Sequence, residues 1–230
     1  MGFLLYLDAI LVPLSFFLTL GYHGFVWHTS NNKPQLTAIG INKIRRRAWV
    51  RNITENTDDK KMMFAIQSLR NTLMVTTLAS TLMIILSISL AAYTNNAYKA
   101  NNILKDSYFG LQSNKMLVLK YGAGSVFLFI GYLCSSMAMG YLSEANILAA
   151  VSSLPPGYVQ AMMERGFLFS FLGQRMLYIT VPLLLWLFGP IPMLLSSIAI
   201  VWVLHGMDFG TSGFHQGLLP SNTARTVTIE

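Results

Sequence analysis

Four long apolar runs, almost free of charge, decide what this chain can fold into. They span residues 3–22, 72–93, 121–143 and 176–205; the first is interrupted only by Asp8 and Pro13, and the second carries no charge at all. A helix needs ~20 apolar residues to cross a ~30 Å hydrocarbon core, and each run meets that length. A soluble core could hold such residues only under a polar surface, yet charged residues are 11% of the 230-residue chain, against about 25% in a soluble domain. The expected fold class is therefore an all-α integral membrane protein with four transmembrane helices. It reads as one membrane domain over residues 1–230, with a basic loop at 24–70, two shorter loops and a polar tail at 206–230.

The first run reads as a retained helix, because no Lys or Arg precedes it and it exceeds a ~7–15-residue signal core. The single cysteine, Cys134, lies within the third run; it excludes an intrachain disulfide and reads as a small buried side chain. The fourth run is too long for one straight span, since at ~1.5 Å per residue it reaches ~45 Å. Pro182, Pro190 and Pro192 each remove a backbone donor, so a long, proline-kinked or broken helix is expected around Gly189-Pro190-Ile191-Pro192. The preceding segment, Glu144 to Arg175, mixes charge with the apolar stretch Phe167–Leu172 and reads as lying in the membrane interface.

Lys and Arg accumulate on cytoplasmic loops. Placing the first and third loops in the cytosol puts eleven basic residues inside and five outside. That assignment leaves both termini lumenal or external, and leaves the sequon Asn52-Ile53-Thr54 unused. The net charge of +7 does not require nucleic acid. The Arg45, Arg46 and Arg47 cluster lies beside a membrane, where anionic headgroups attract each basic residue by ~1 kcal/mol. These three are the lipid-headgroup candidates.

On the second run Thr72, Thr76 and Ser80 recur every four residues, with Ser87 a heptad on, and share one helix face. Such a face either lines a wetted pathway or packs closely against a neighbouring helix. Gly124, Gly131, Ser135 and Ala138 form a small-residue seam on the third run, suited to contact within or between subunits. Ionisable groups within a membrane are functional candidates, and acidic rings in a symmetric oligomer attract cations. The ion-pathway candidates are therefore Asp8, Glu144, Glu164 and Asp208, with Thr76 and Ser80; the alternative for each carboxylate is an interfacial position, solvated or paired with Arg165 or Arg175. No phosphate-binding glycine loop, zincin helix or nucleophile elbow is present. His23 and His28 are poorly spaced for a metal, and His205, Asp208 and His215 are a weak cluster. No enzyme, catalytic residue, metal site or cofactor is expected.

Several stretches together resemble a plant family of four-helix membrane proteins carrying a domain of unknown function. They are Tyr22-His23, then Pro34, Thr37 and Gly40, then Arg46-Arg47-Ala48-Trp49-Val50, and Ala65-Ile66-Gln67-Ser68-Leu69-Arg70-Asn71-Thr72. Tyr158-Val159, Arg165-Gly166 and Gly173-Gln174-Arg175 follow, then the stretch from Pro182 to Pro192, Leu204 and Asp208. The family's Arg-Tyr pair and following His are missing after the third run, where Ala138 to Glu144 stand instead, so the chain resembles a divergent member. A divergent member of that family is a five-subunit, calcium-permeable cation channel of the endoplasmic reticulum. The resemblance implies the same here: a homo-oligomeric ring, a pentamer, passing calcium or other cations in an internal membrane, with a role in plant defence. The rival readings are a membrane scaffold or regulatory subunit that binds lipid or protein through the basic loop, and a small-solute carrier built on the broken fourth helix.

Overall fold

The computed structural model describes residues 2–55, 59–99, 114–148 and 156–210. Pro155, Lys105, His215, Arg225 and the tail beyond residue 210 lie outside the described residues. The described elements are helices: α1 (Gly2–Asn32), a 3-10 turn (Pro34–Leu36), α2 (Ala38–Glu55), α3 (Asp59–Lys99), α4 (Asn114–Leu148), α5 (Pro156–Leu185) and α6 (Pro190–Phe209).

Among the described residues, five helices rather than four are long and apolar enough to cross a membrane: Asp8–Asn32, Met63–Asn96, Met116–Leu148, Gly157–Leu185 and Pro190–Phe209. The helices α1, α3 and α4 enclose the first three apolar runs and extend beyond them. The 41 residues of α3 reach roughly 62 Å, about twice the hydrocarbon thickness. The fourth run breaks where the prolines suggested, but the break is a complete turn between two helices. Residues 156–185, two thirds of them expected at the interface, form a full-length helix.

The chemistry of that turn explains the difference. Trp186, Leu187, Phe188 and Gly189 donate backbone bonds to Pro182, Leu184, Leu185 and Trp186 at 2.9–3.2 Å, winding α5 to a stop. Gly189 has φ 141°, a conformation open to glycine. Pro190 then opens α6, where a fixed φ suits the first helical position and its missing donor would have had no partner. Hydropathy sees no loop because Trp186, Leu187 and Phe188 are themselves apolar.

The basic loop also has structure. Thr37 caps α2, its hydroxyl accepting the Gly40 N–H at 3.1 Å. Gly40 lies so close to the Pro34 backbone that no Cβ fits. The recurring Pro34, Thr37 and Gly40 thus encode one tight entry into a basic helix. That helix docks on the bundle through Val50, which is buried with Leu69, Leu142, Ala145, Val159 and Met163.

The most extensive packing joins α4 to α5, followed by α3 to α4 and α1 to α6. Along the last pair Val12 shares a cluster with Met193, and Val26 shares one with Leu204. The helices α1 and α6 therefore run parallel. The start of α1 and the end of α6 lie at opposite ends of the bundle, whereas four spans had placed the two termini on one face.

Candidate functional site

The small-residue seam is used inside the chain. A Cβ on Gly131 would meet Met83 Sδ at 3.0 Å on α3 and Met176 Cβ at 3.1 Å on α5. Ser135 and Ala138 are buried, and a Cβ on Gly173 would run into Ser135 Oγ. Small side chains on α4 let two neighbours approach at once, which is how membrane helices gain packing contact.

The hydroxyl row is largely satisfied by its own helix. Thr72, Thr76, Thr77, Thr81 and Ser87 donate to carbonyls four residues back at 2.8–3.1 Å, needing no water in an apolar surround. Thr76 also shares a 2.8 Å hydrogen bond with Ser170 on α5. Both Thr76 and Ser80 are buried. Within the chain Thr76 is a contact between helices and Ser80 is covered.

The four candidate carboxylates part company. Asp208, buried near the end of α6, receives Arg175 Nη1 at 2.9 Å and Nη2 at 2.5 Å, and the Tyr22 hydroxyl at 2.8 Å. Three helices meet in that network, and Arg175 also lies over Phe171 at 4.8 Å. Glu164 accepts two bonds from Arg47 of α2, at 3.1 and 3.0 Å, and one from Gln160. Asp8 is buried at the other end of α1, close enough to act on the buried Lys120; the Lys120 ammonium in turn stands 5.6 Å from the Trp186 ring. Only Glu144 is exposed, with no ion pair among the described residues.

Of the headgroup candidates, Arg46 and Arg47 line a cleft between α1, α2, α5 and α6, whereas Arg45 does not. Successive residues of a helix point about 100° apart, so three adjacent arginines never share one target. The cleft encloses about 580 Å³. Arg46 lies across its wall with the guanidinium 4.3 Å from the Phe167 ring. Desolvation draws its pKa below the ordinary guanidinium value, the direction expected for a cation withdrawn from water. Arg46, Phe171 and Gln174 also border a second, more polar cavity of about 300 Å³, completed by residues such as Ser68, Asn71 and Thr72 of α3.

Sequence reasoning missed Tyr22, Ser170 and Lys120 as partners. Lys120 lies one residue before the third run and Tyr22 at the end of the first, so both pass as interfacial anchors. Ser170 lay in the segment assigned to the interface. A lone Arg175 between apolar stretches was the available signal, because a cation there demands a carboxylate. His23 Nδ1 donates to the Thr19 carbonyl at 2.8 Å, because a carbonyl only accepts and Nδ1 must carry the proton. His205 stacks on Phe209 with ring centroids 5.0 Å apart. Among the described residues no three His, Cys, Asp or Glu side chains group as metal ligands.

Neither a curated protein nor a solved structure matches the chain. A family model described as a protein of unknown function, DUF599, matches residues 10–212. That match takes in every helix that packs the ion pairs and the cleft, and the chain belongs to the DUF599 family.

Proposed function

We propose that this chain is a subunit of a homo-oligomeric, cation-selective channel, permeable to calcium, in an internal membrane such as the endoplasmic reticulum. The activity and the five-fold ring rest on similarity to the divergent plant family member WeiTsing. The observation that carries the reading into this chain is Glu144, the one candidate carboxylate that is exposed and unpaired among the described residues. Around a symmetry axis it would repeat as a ring near an entrance, raising local cation concentration. Asp208 and Glu164 are spent on arginines and drop out as selectivity groups. Thr76 is spent on a bond to Ser170 and Ser80 is buried within the chain. Self-association would use the exposed apolar faces of α3 and α4, such as Leu78, Ile88, Val126 and Phe129, which otherwise meet lipid.

The first loop is assigned to the cytosol by its Lys and Arg residues. With α1 and α6 parallel, the N-terminus is then lumenal and the end of α6 cytosolic. A sequon added at the N-terminus should be glycosylated and one added at the C-terminus should not. Glycan at both ends would restore a four-span topology.

A scaffold or regulatory subunit is the second reading, favoured by the basic cleft against α2. The carrier reading weakens, because the Gly189-Pro190 break is a turn at a helix end. Planar-bilayer recording of the purified protein separates them: unitary currents for a channel, slow saturable flux for a carrier, silence for a scaffold. Glu144→Gln should lower conductance or divalent preference with assembly intact. Parental currents from that variant would remove the acidic ring from the reading.

A further inference from the structure

The cleft under α2 has the makeup of a binding site for an amphiphile. Five cations line it (Lys43, Arg46, Arg47, Arg165 and Arg175) against two carboxylates, Glu164 and Asp208. Those carboxylates are already held, Glu164 by Arg47 and Asp208 by Arg175. Lys43, Arg46 and Arg165 form no ion pair among the described residues, although Lys43 helps to hold Glu164 ionised beside Arg47. They gather on α2 and on the early turns of α5. Further along, the walls turn apolar and aromatic, with Phe171, Tyr178, Leu204 and Met207. From Arg165 to Tyr178 is roughly 20 Å along a helix; the cations outside ion pairs stand at the first end, and the Arg175–Asp208 pair, neutral overall, lies within the apolar stretch.

We propose that this cleft binds one anionic phospholipid, its phosphate among Lys43, Arg46 and Arg165 and an acyl chain along the wall formed by Phe171, Leu204 and Met207. Charge complementarity selects that occupant: a zwitterionic lipid brings no net negative charge to these cations, and a free anion leaves the apolar wall uncovered. The wall faces outward, with Leu168 43% and Met207 60% exposed, so a lipid can enter sideways from the bilayer. The neighbouring polar cavity shares Arg46, Phe171 and Gln174 with the cleft, and its Asn71 and Thr72 offer hydrogen bonds to a headgroup. This site stands whether or not the protein conducts, because it lies within one subunit and uses none of the exposed Glu144.

Native mass spectrometry of the full chain in detergent, titrated with dioleoyl phosphatidylserine or dioleoyl phosphatidylcholine, tests it. One phosphatidylserine per subunit should be retained in preference to phosphatidylcholine. Arg46→Gln should weaken retention about fivefold, the share of one basic residue near a lipid surface. Combining Lys43→Gln, Arg46→Gln and Arg165→Gln should abolish the preference. Leu168→Trp, which fills the cleft and keeps every charge, should weaken retention of phosphatidylserine as well. Arg70→Gln, an equal loss of charge outside the cleft, should change nothing. Equal retention of both lipids overturns the proposal. So does an Arg70 effect as large as that of Arg46, which would mean diffuse surface charge, or no effect of Leu168→Trp, which would remove the apolar wall. A change of oligomeric state with lipid preference intact would give the cleft to a second copy of the chain instead.

Discussion

The α3–α4 pair and the α1–α5–α6 group both carry polar side chains inside apolar helices, and they satisfy them in different ways. On α3 the hydroxyls bond within their own helix, four residues back, and α4 meets it through small residues. In the other group a full charge, Asp208, is met by Arg175 and Tyr22 from two other helices. A hydroxyl is a modest polar group that a helix can serve alone. A carboxylate needs a counter-ion, which no residue on its own turn of α6 supplies. The first region is therefore insensitive to the loss of any one polar partner, and the second depends on three helices staying in register.

The sharpest way to break this contrast is Asp208→Ala. It strands Arg175 in an apolar surround, and removing one partner of a buried pair costs about 3–5 kcal/mol. Thermal unfolding in detergent should show that loss, with part of it recovered when Arg175→Ala is added. A drop no larger than that of an exposed pair would mean that water reaches the network.

Next in size is Gly173→Ala, which forces a methyl group against Ser135 and the Gly131 carbonyl. Overpacking of this kind costs about 1–3 kcal/mol. If the variant unfolds at the parental temperature, α4 and α5 are free to separate and the close approach is not needed.

Thr76→Val tests the hydroxyl side. It removes the bond to Ser170 but leaves shape, and hydrogen bonds between membrane helices average about 0.6 kcal/mol. An effect rivalling that of Asp208→Ala would erase the distinction between the two regions.

Glu164→Gln should do least. Arg47 is 54% exposed, and exposed ion pairs contribute about 0–1 kcal/mol. Stability should hardly move, although α2 should become more accessible to protease near Arg47. A large destabilisation would show that α2 is part of the core rather than docked on it.

Legibility followed the same division. The length and apolarity of α1, α3 and α4 are written locally, as is the spacing of Thr72, Thr76 and Ser80. The seam of Gly131, Ser135 and Ala138 was also visible, but whether it faces a neighbour in the chain or another subunit was not. The fifth helix was hidden because Glu164, Arg165 and Arg175 give residues 156–175 the look of a surface segment. Two of those charges are cancelled by Arg47 and Asp208, residues far away in the chain. Among the site candidates, Arg165 beside Glu164 hinted at a pair, but only the fold gave Glu164 to Arg47 and Asp208 to Arg175 and left Glu144 exposed.

What the sequence determined by itself is the class of structure: charge so sparse, in runs so long, dictates helices long and apolar enough to span a bilayer. It also determined a break near Gly189-Pro190, because glycine and proline restrict the backbone within a few residues, whereas the capped helix entry at Pro34, Thr37 and Gly40 lay in a stretch read as loop. Only the tertiary structure decided how a helix runs on through the charged residues 156–175, which carboxylates remain free and where the cations outside ion pairs gather. Those outcomes depend on pairing between charges more than thirty residues apart, and the energy of a buried charge is set by what stands opposite it.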